Sequence, residues 1–89
     1  MPAISEFFGL CVAMYYDDNK QHHVPHVHVT HQSQEAVLST ADGRLLAGKL
    51  PRAKMRLIRA WIEIRKAELA ENWRRAERHE PLVKIAPLR

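Results

Sequence analysis

The order of apolar and polar positions divides the chain into a strand-like half and a helical half. Over residues 10–16, Leu10, Val12, Met14 and Tyr16 share one face of an extended chain, and Cys11, Ala13 and Tyr15 share the other. Both faces are apolar, so this segment belongs in the middle of a sheet or under a helix. Residues 4–8 form a separate short strand, with Gly9 as the break. Residues 17–25 read as a polar loop, and Pro25 holds Val24 extended. Beyond it the pattern alternates, with His26, His28 and Thr30 on one face and Val27, Val29 and His31 on the other. Two apolar-rich runs flank Asp42-Gly43, a pair that tolerates the positive φ of a two-residue type I′ turn. A hairpin joining strands near 36–41 and 44–50 is expected there.

Pro51 stands where a first helical residue belongs. Residues 52–79 contain no Gly or Pro, and Ile58, Ile62, Leu69, Trp73 and Ala76 fall on one helical stripe. Leu57, Trp61 and Ile64 lie beside it. A single straight helix would run about 42 Å at 1.5 Å per residue. That is long for so small a domain; a break near residues 65–67 would shorten it, but no capping residue there marks one, so one long helix and a broken one both stand. The closing Pro81-Leu82-Val83-Lys84-Ile85-Ala86-Pro87-Leu88 reads as an extended segment lying against the body. The expected architecture is α+β. A small antiparallel sheet of three to five strands, with an Asp-Gly hairpin, packs against one long or broken C-terminal helix. The chain is one domain: residues 1–50 are the sheet half with the histidine cluster, 51–79 are helical and basic, and 80–89 are an extended tail.

Charge sharpens that division. Residues 1–43 hold Lys20 against Glu6, Asp17, Asp18, Glu35 and Asp42, a net −4, together with five of the six histidines. Residues 44–89 hold thirteen Lys and Arg against five acids, a net +8, and the two halves sum to +4. A basic half calls for nucleic acid, RNA or DNA, or an acidic protein as partner. Arg52, Arg56 and Arg59 follow i, i+4, i+7 spacing on the helix, and Arg44 and Lys49 stand just upstream. These five are the candidate nucleic-acid contacts. A surface helix turns its charges to solvent in the same way, so the stripe alone does not separate the two readings.

The longest apolar run, residues 7–16, is ten residues and too short to span a bilayer. No basic segment precedes it, so neither a signal peptide nor a membrane span is expected. The single cysteine, Cys11, excludes an internal disulfide, and a cytoplasmic location follows as the expectation. Cys11 lies in an apolar strand without a base beside it, so no thiol chemistry is expected. Trp61 and Trp73 are expected in the helix–sheet core. So short a chain buries a thin core, and a homodimer through a sheet edge or a helix face is the expected oligomer.

His22, His23, His26, His28 and His31 crowd into ten residues. On a strand, His26 and His28 project to one side about 6.5–7 Å apart at Cβ. Such a pair, with His22 as a third ligand, is a candidate site for Zn²⁺ or another divalent transition metal. Without a metal, His26 and His28 are candidate catalytic acid and base for phosphodiester cleavage, with Arg44, Lys49 or Arg52 on the developing charge. Clustered imidazoles also satisfy loop carbonyls with no further role.

Several elements together resemble a bacterial family known as domain of unknown function 4160. They are Met1-Pro2-Ala3-Ile4-Ser5 with Phe7-Phe8-Gly9, Met14-Tyr15-Tyr16, Pro25-His26-Val27-His28, Asp42-Gly43, and Gly48-Lys49-Leu50-Pro51. Trp61, Leu69 with Glu71-Asn72-Trp73, and the closing residues 81–88 complete the set. The histidine element departs from the family pattern in lacking an acid before its first histidine and in carrying Val24 and Val27 for a Pro and a Phe. His22, His26 and His28 match. The resemblance implies a component of a toxin–antitoxin-type module, partnered by a small protein of the domain of unknown function 2442 type. It implies no particular reaction.

Overall fold

The computed structural model describes residues 3–16 and 24–89. Among them the chain forms β1 (Ser5–Phe7), β2 (Leu10–Ala13), β3 (His26–His31), β4 (Gln34–Ser39), β5 (Leu45–Gly48), α1 (Arg52–Ile64) and α2 (Lys66–Glu77). The five strands form one antiparallel meander in the order β1-β2-β3-β4-β5. This is the α+β architecture expected from the pattern.

The doubly apolar segment becomes β2, an interior strand, as its two-faced pattern requires. Val12 pairs with Val29, Val29 with Ala36, and Val27 with Leu38, so their side chains share one face. All five are fully buried and join Ile58, Trp61, Ile62 and Leu69 of the helices in the core. The opposite face carries Cys11, Ala13, His26, His28, Thr30, Val37 and Ser39 by the same register.

The two helices meet at Arg65, whose φ of −105° and ψ of 21° break the α geometry. Hydrogen bonds from Arg65 N to the Trp61 carbonyl and from Leu69 N to the Arg65 carbonyl, both 2.9 Å, carry the ladder across. The protein measures 34 × 28 × 23 Å, so a straight helix of about 42 Å would have left its last turns unsupported. Pro51 is the N-cap rather than the first helical residue, with ψ at 146° and its carbonyl accepting from Met55 N.

The closing segment lies along the body. Asn72, buried on α2, donates to the Val83 carbonyl and accepts from Val83 N, both at 2.9 Å. Ile85 N donates to the Ile4 carbonyl, and Trp61 Nε1 donates to the Ala86 carbonyl at 2.8 Å. These bonds account for the closing segment being ordered without being a strand: its backbone groups find side chains and one strand edge.

The turns depart from expectation. β4 and β5 are not joined by a two-residue type I′ turn. Residues 40–43 form the loop, closed by Ser39 N to the Arg44 carbonyl and Gly43 N to the Ser39 carbonyl. Positive φ occurs at Gly43 and not at Asp42, whose side chain instead accepts from Arg44 N at 2.9 Å. Such a local bond favours a longer loop. The Arg44 N–H, chiefly, holds the Asp42 carboxyl below the usual carboxylate range. Its contribution to loop stability is thus present above the unfolded value and is lost as pH falls through the lower folded one. The two-residue turn with both φ values positive is Phe8-Gly9, at +50° and +79°, closing β1 onto β2 where Phe7 pairs with Leu10.

Candidate functional site

β3 places His26 and His28 on one side of the sheet, as its alternation demands, with ring centroids 5.5 Å apart. His26 is fully buried, 5.2 Å from the Trp73 ring, and its Nδ1 meets the Val24 carbonyl at 2.8 Å. His28 lies edge-on to Tyr15 at 4.8 Å, and its Nδ1 meets Glu35 Oε2 at 3.2 Å. A neutral ring that donates through Nδ1 to such an oxygen carries its lone pair on Nε2. Neither ring is confined to these contacts. That tautomer is the one imidazoles use for metal ligation or for accepting a proton through Nε2.

His31 does not join this pair. Its Nδ1 meets the Gly9 carbonyl at 3.1 Å and steadies the β1–β2 turn. His22, the expected third metal ligand, and His23 lie outside the described residues. Among the described residues, no three His, Cys, Asp or Glu side chains are grouped to hold a metal ion. Glu35, Tyr15 and Trp73 were not foreseen as neighbours of the histidines. Glu35 pairs with Thr30 and so sits diagonally across from His28, a relation that exists only once the β3–β4 register is known.

The five basic candidates gather at the β5 edge of the sheet and on α1 beyond it. Arg44 and Lys49 bracket β5, the open last strand of the sheet, and Arg52, Arg56 and Arg59 ride the exposed side of α1, opposite Ile58, Trp61 and Ile62. Residues 44–59 hold six Lys and Arg and no acid. One of the six, Lys54, is drawn away: its Nζ donates to the Phe8 carbonyl. Arg59 has a structural bond as well, from Nε to the Gly43 carbonyl at 3.0 Å, which pins the β4–β5 loop to α1.

Charge compensation differs sharply between the two helices. On and around α2, Arg65 pairs with Glu68 at 3.2 Å, Lys66 with Glu63 at 3.3 Å, and Arg74 with Glu71 at 2.9 Å. Arg75 reaches the same Glu71 at 3.6 Å. The Arg74 hydrogen bond, chiefly, holds the Glu71 carboxyl below the usual carboxylate range. Arg44, Lys49, Arg52 and Arg56 make no ion pair among the described residues, and all four are exposed. The result is one unneutralised cationic edge beside a largely self-compensated helix.

Among the described residues no helix is long and apolar enough to cross a membrane. No curated protein matches the chain, and no solved structure matches it. A family model does: it covers residues 9–74, from the β1–β2 turn through most of α2, and leaves out β1 and the closing segment. The matched part contains the histidine pair, the cationic edge and both tryptophans, and the chain belongs to the family Domain of unknown function (DUF4160).

Proposed function

We propose that the chain is a nucleic-acid-binding protein that takes RNA or DNA along the β5–α1 edge through Arg44, Lys49, Arg52 and Arg56. Arg59 both adds charge and holds the loop that carries Arg44. The observation that carries this reading is the contrast in compensation: cations of α2 have carboxylate partners at 2.9–3.6 Å, and those of residues 44–59 have none among the described residues. Arg44, Lys49, Arg52 and Arg56 thus cost the fold some self-repulsion with no ion pair among the described residues to offset it. Against a phosphate backbone they release counterions, and binding becomes steeply salt-dependent. Labelled single-stranded oligonucleotide, titrated with the protein and followed by anisotropy, should bind at low salt and lose affinity with each increment of salt. Absence of binding at low salt contradicts the reading. The family resemblance adds a role as one component of a toxin–antitoxin-type module to this proposal. Its readout is growth arrest when the protein is expressed without its partner, and normal growth contradicts it.

The histidine pair favours a second reading, in which His26 and His28 act with His22 on Zn²⁺ or another divalent transition metal in a hydrolytic site. Its support is the shared face, the 5.5 Å ring separation and the two Nδ1 acceptors. Zn²⁺ titrated by calorimetry at neutral pH should bind, and should bind more weakly below about pH 6, where imidazole takes up a proton. His28→Ala should abolish the signal. A flat titration at neutral pH removes the metal site.

A further inference from the structure

α1 carries a second apolar row, outside the core. Ala53, Leu57, Ala60 and Ile64 follow i, i+4, i+7, i+11 spacing, so they line one side of the helix. At 100° per residue that side falls between the buried Trp61 and the exposed Arg56. Ala53 and Ala60 are exposed and Leu57 is half-buried. Ile64 is 62% exposed, the most of any large apolar side chain among the described residues. At the Ile64 end the row runs into a groove of about 230 Å³ that Trp61, Pro87 and Leu88 also line. Single exposed apolar side chains are ordinary, but a row of four joined to a groove is a contact surface.

We propose that this row is the seam of a homodimer, in which α1 packs antiparallel against α1 of a second copy across a two-fold axis beside Ala60. The charges flanking the row point to that occupant. Arg56 lies four residues before Ala60 and Glu63 three after, on one flank of the row. A two-fold axis across an antiparallel pair keeps each flank on its own side and exchanges the positions before and after its centre. It therefore sets Arg56 against Glu63 of the second copy, twice, to within about one residue rise of 1.5 Å. The same exchange sets Leu57, three residues before the centre, against Ile64, four after. At the centre the small Ala60 side chains let the helix axes approach to about 8 Å, the near limit for packed helices. Both charges have capacity for the pairing. Glu63 gives Lys66 only Oε1, at 3.3 Å, and Arg56 has no ion pair among the described residues. A guanidinium has five donors, so Arg56 can still meet a phosphate, and Arg44, Lys49 and Arg52 are left as they were. An unrelated partner would have to match this alternation separately, whereas a second copy supplies it by symmetry.

Sedimentation equilibrium at micromolar concentration, without nucleic acid, should give twice the chain mass for the wild type. Ile64→Lys places a good helix former at an exposed position, so the far-UV circular dichroism should stay that of the wild type. Dimerisation should weaken about a hundredfold or more, because one isoleucine leaves the seam on each side. The charges report the geometry. Arg56→Glu and Glu63→Arg should each weaken the dimer by setting like charges together, and Arg56→Glu/Glu63→Arg should restore it. A wild-type monomer overturns the proposal. A dimer that Ile64→Lys leaves intact also overturns it, because the contact must then lie elsewhere. Single charge variants that leave the dimer unchanged, or a double variant that fails to restore it, overturn the antiparallel seam.

Discussion

Gly48→Ala should destabilise the protein by roughly 2–5 kcal/mol, a large part of the total for so small a domain. Gly48 has φ at +76°, and a Cβ there would lie 2.1 Å from the Glu35 carbonyl oxygen and 3.0 Å from Ala36 Cα. Both neighbours are backbone of β4, so relief requires β5 to move. Strain at positive φ adds about 1–2 kcal/mol. Gly48 pairs with Ala36 at the end of β5, just past the irregularity in register at Val37 and Leu38, and Lys49 N donates to the same Glu35 carbonyl at 3.0 Å. The substitution thus strikes the join between sheet and helix that places Lys49 beside Arg52. Gly43→Ala is the matched control: its φ is +74°, but its nearest neighbour is the flexible Arg59 side chain. It should cost about 1 kcal/mol. Thermal unfolding followed by circular dichroism distinguishes the two, with about 4–8 °C expected per kcal/mol at this size. A Gly48→Ala protein as stable as Gly43→Ala would mean that β5 is not seated as described.

The second large effect falls on binding. The double variant Arg52→Gln/Arg56→Gln should lose about 30-fold in affinity for single-stranded nucleic acid at low salt, from about 1 kcal/mol for each exposed cation set against a phosphate. Glutamine keeps the length of the stem and a good helix propensity. Neither arginine has an ion-pair partner among the described residues, so stability should change by less than about 0.5 kcal/mol. Arg75→Gln is the control, because Arg75 already shares Glu71 and lies on α2. It should shift affinity far less.

Periodicity made the central strand, the two-faced β3 and the helical stripe readable from the residues, because each is set by which side chains must be buried; the break at Arg65 had only the length of a straight helix behind it and stood open beside one long helix. The turns were less readable. Asp42-Gly43 carries the better two-residue signal, yet Asp42 binds the Arg44 N–H and the loop opens to residues 40–43. Phe8-Gly9 carries a poor signal, an aromatic residue at +50°, yet makes the tight turn because Phe7 and Leu10 must pair. Lys54 on the Phe8 carbonyl and His31 on the Gly9 carbonyl help to hold it. A local side-chain bond decided the first turn and strand pairing the second. For the candidate sites, the sequence located the histidines and the cations but not their environments. Glu35 beside His28 depends on strand register, and the lack of partners for Arg52 and Arg56 depends on where Glu63, Glu68 and Glu71 are spent.

The most direct test of the cationic edge is the slope of log affinity against log salt for single-stranded oligonucleotide, measured for the wild type and for Arg52→Gln/Arg56→Gln. Four phosphate contacts predict a wild-type slope near −2.8, from about −0.7 per contact, and the loss of two predicts about −1.4. Equal slopes for the two proteins, or a wild-type affinity insensitive to salt, would contradict the account.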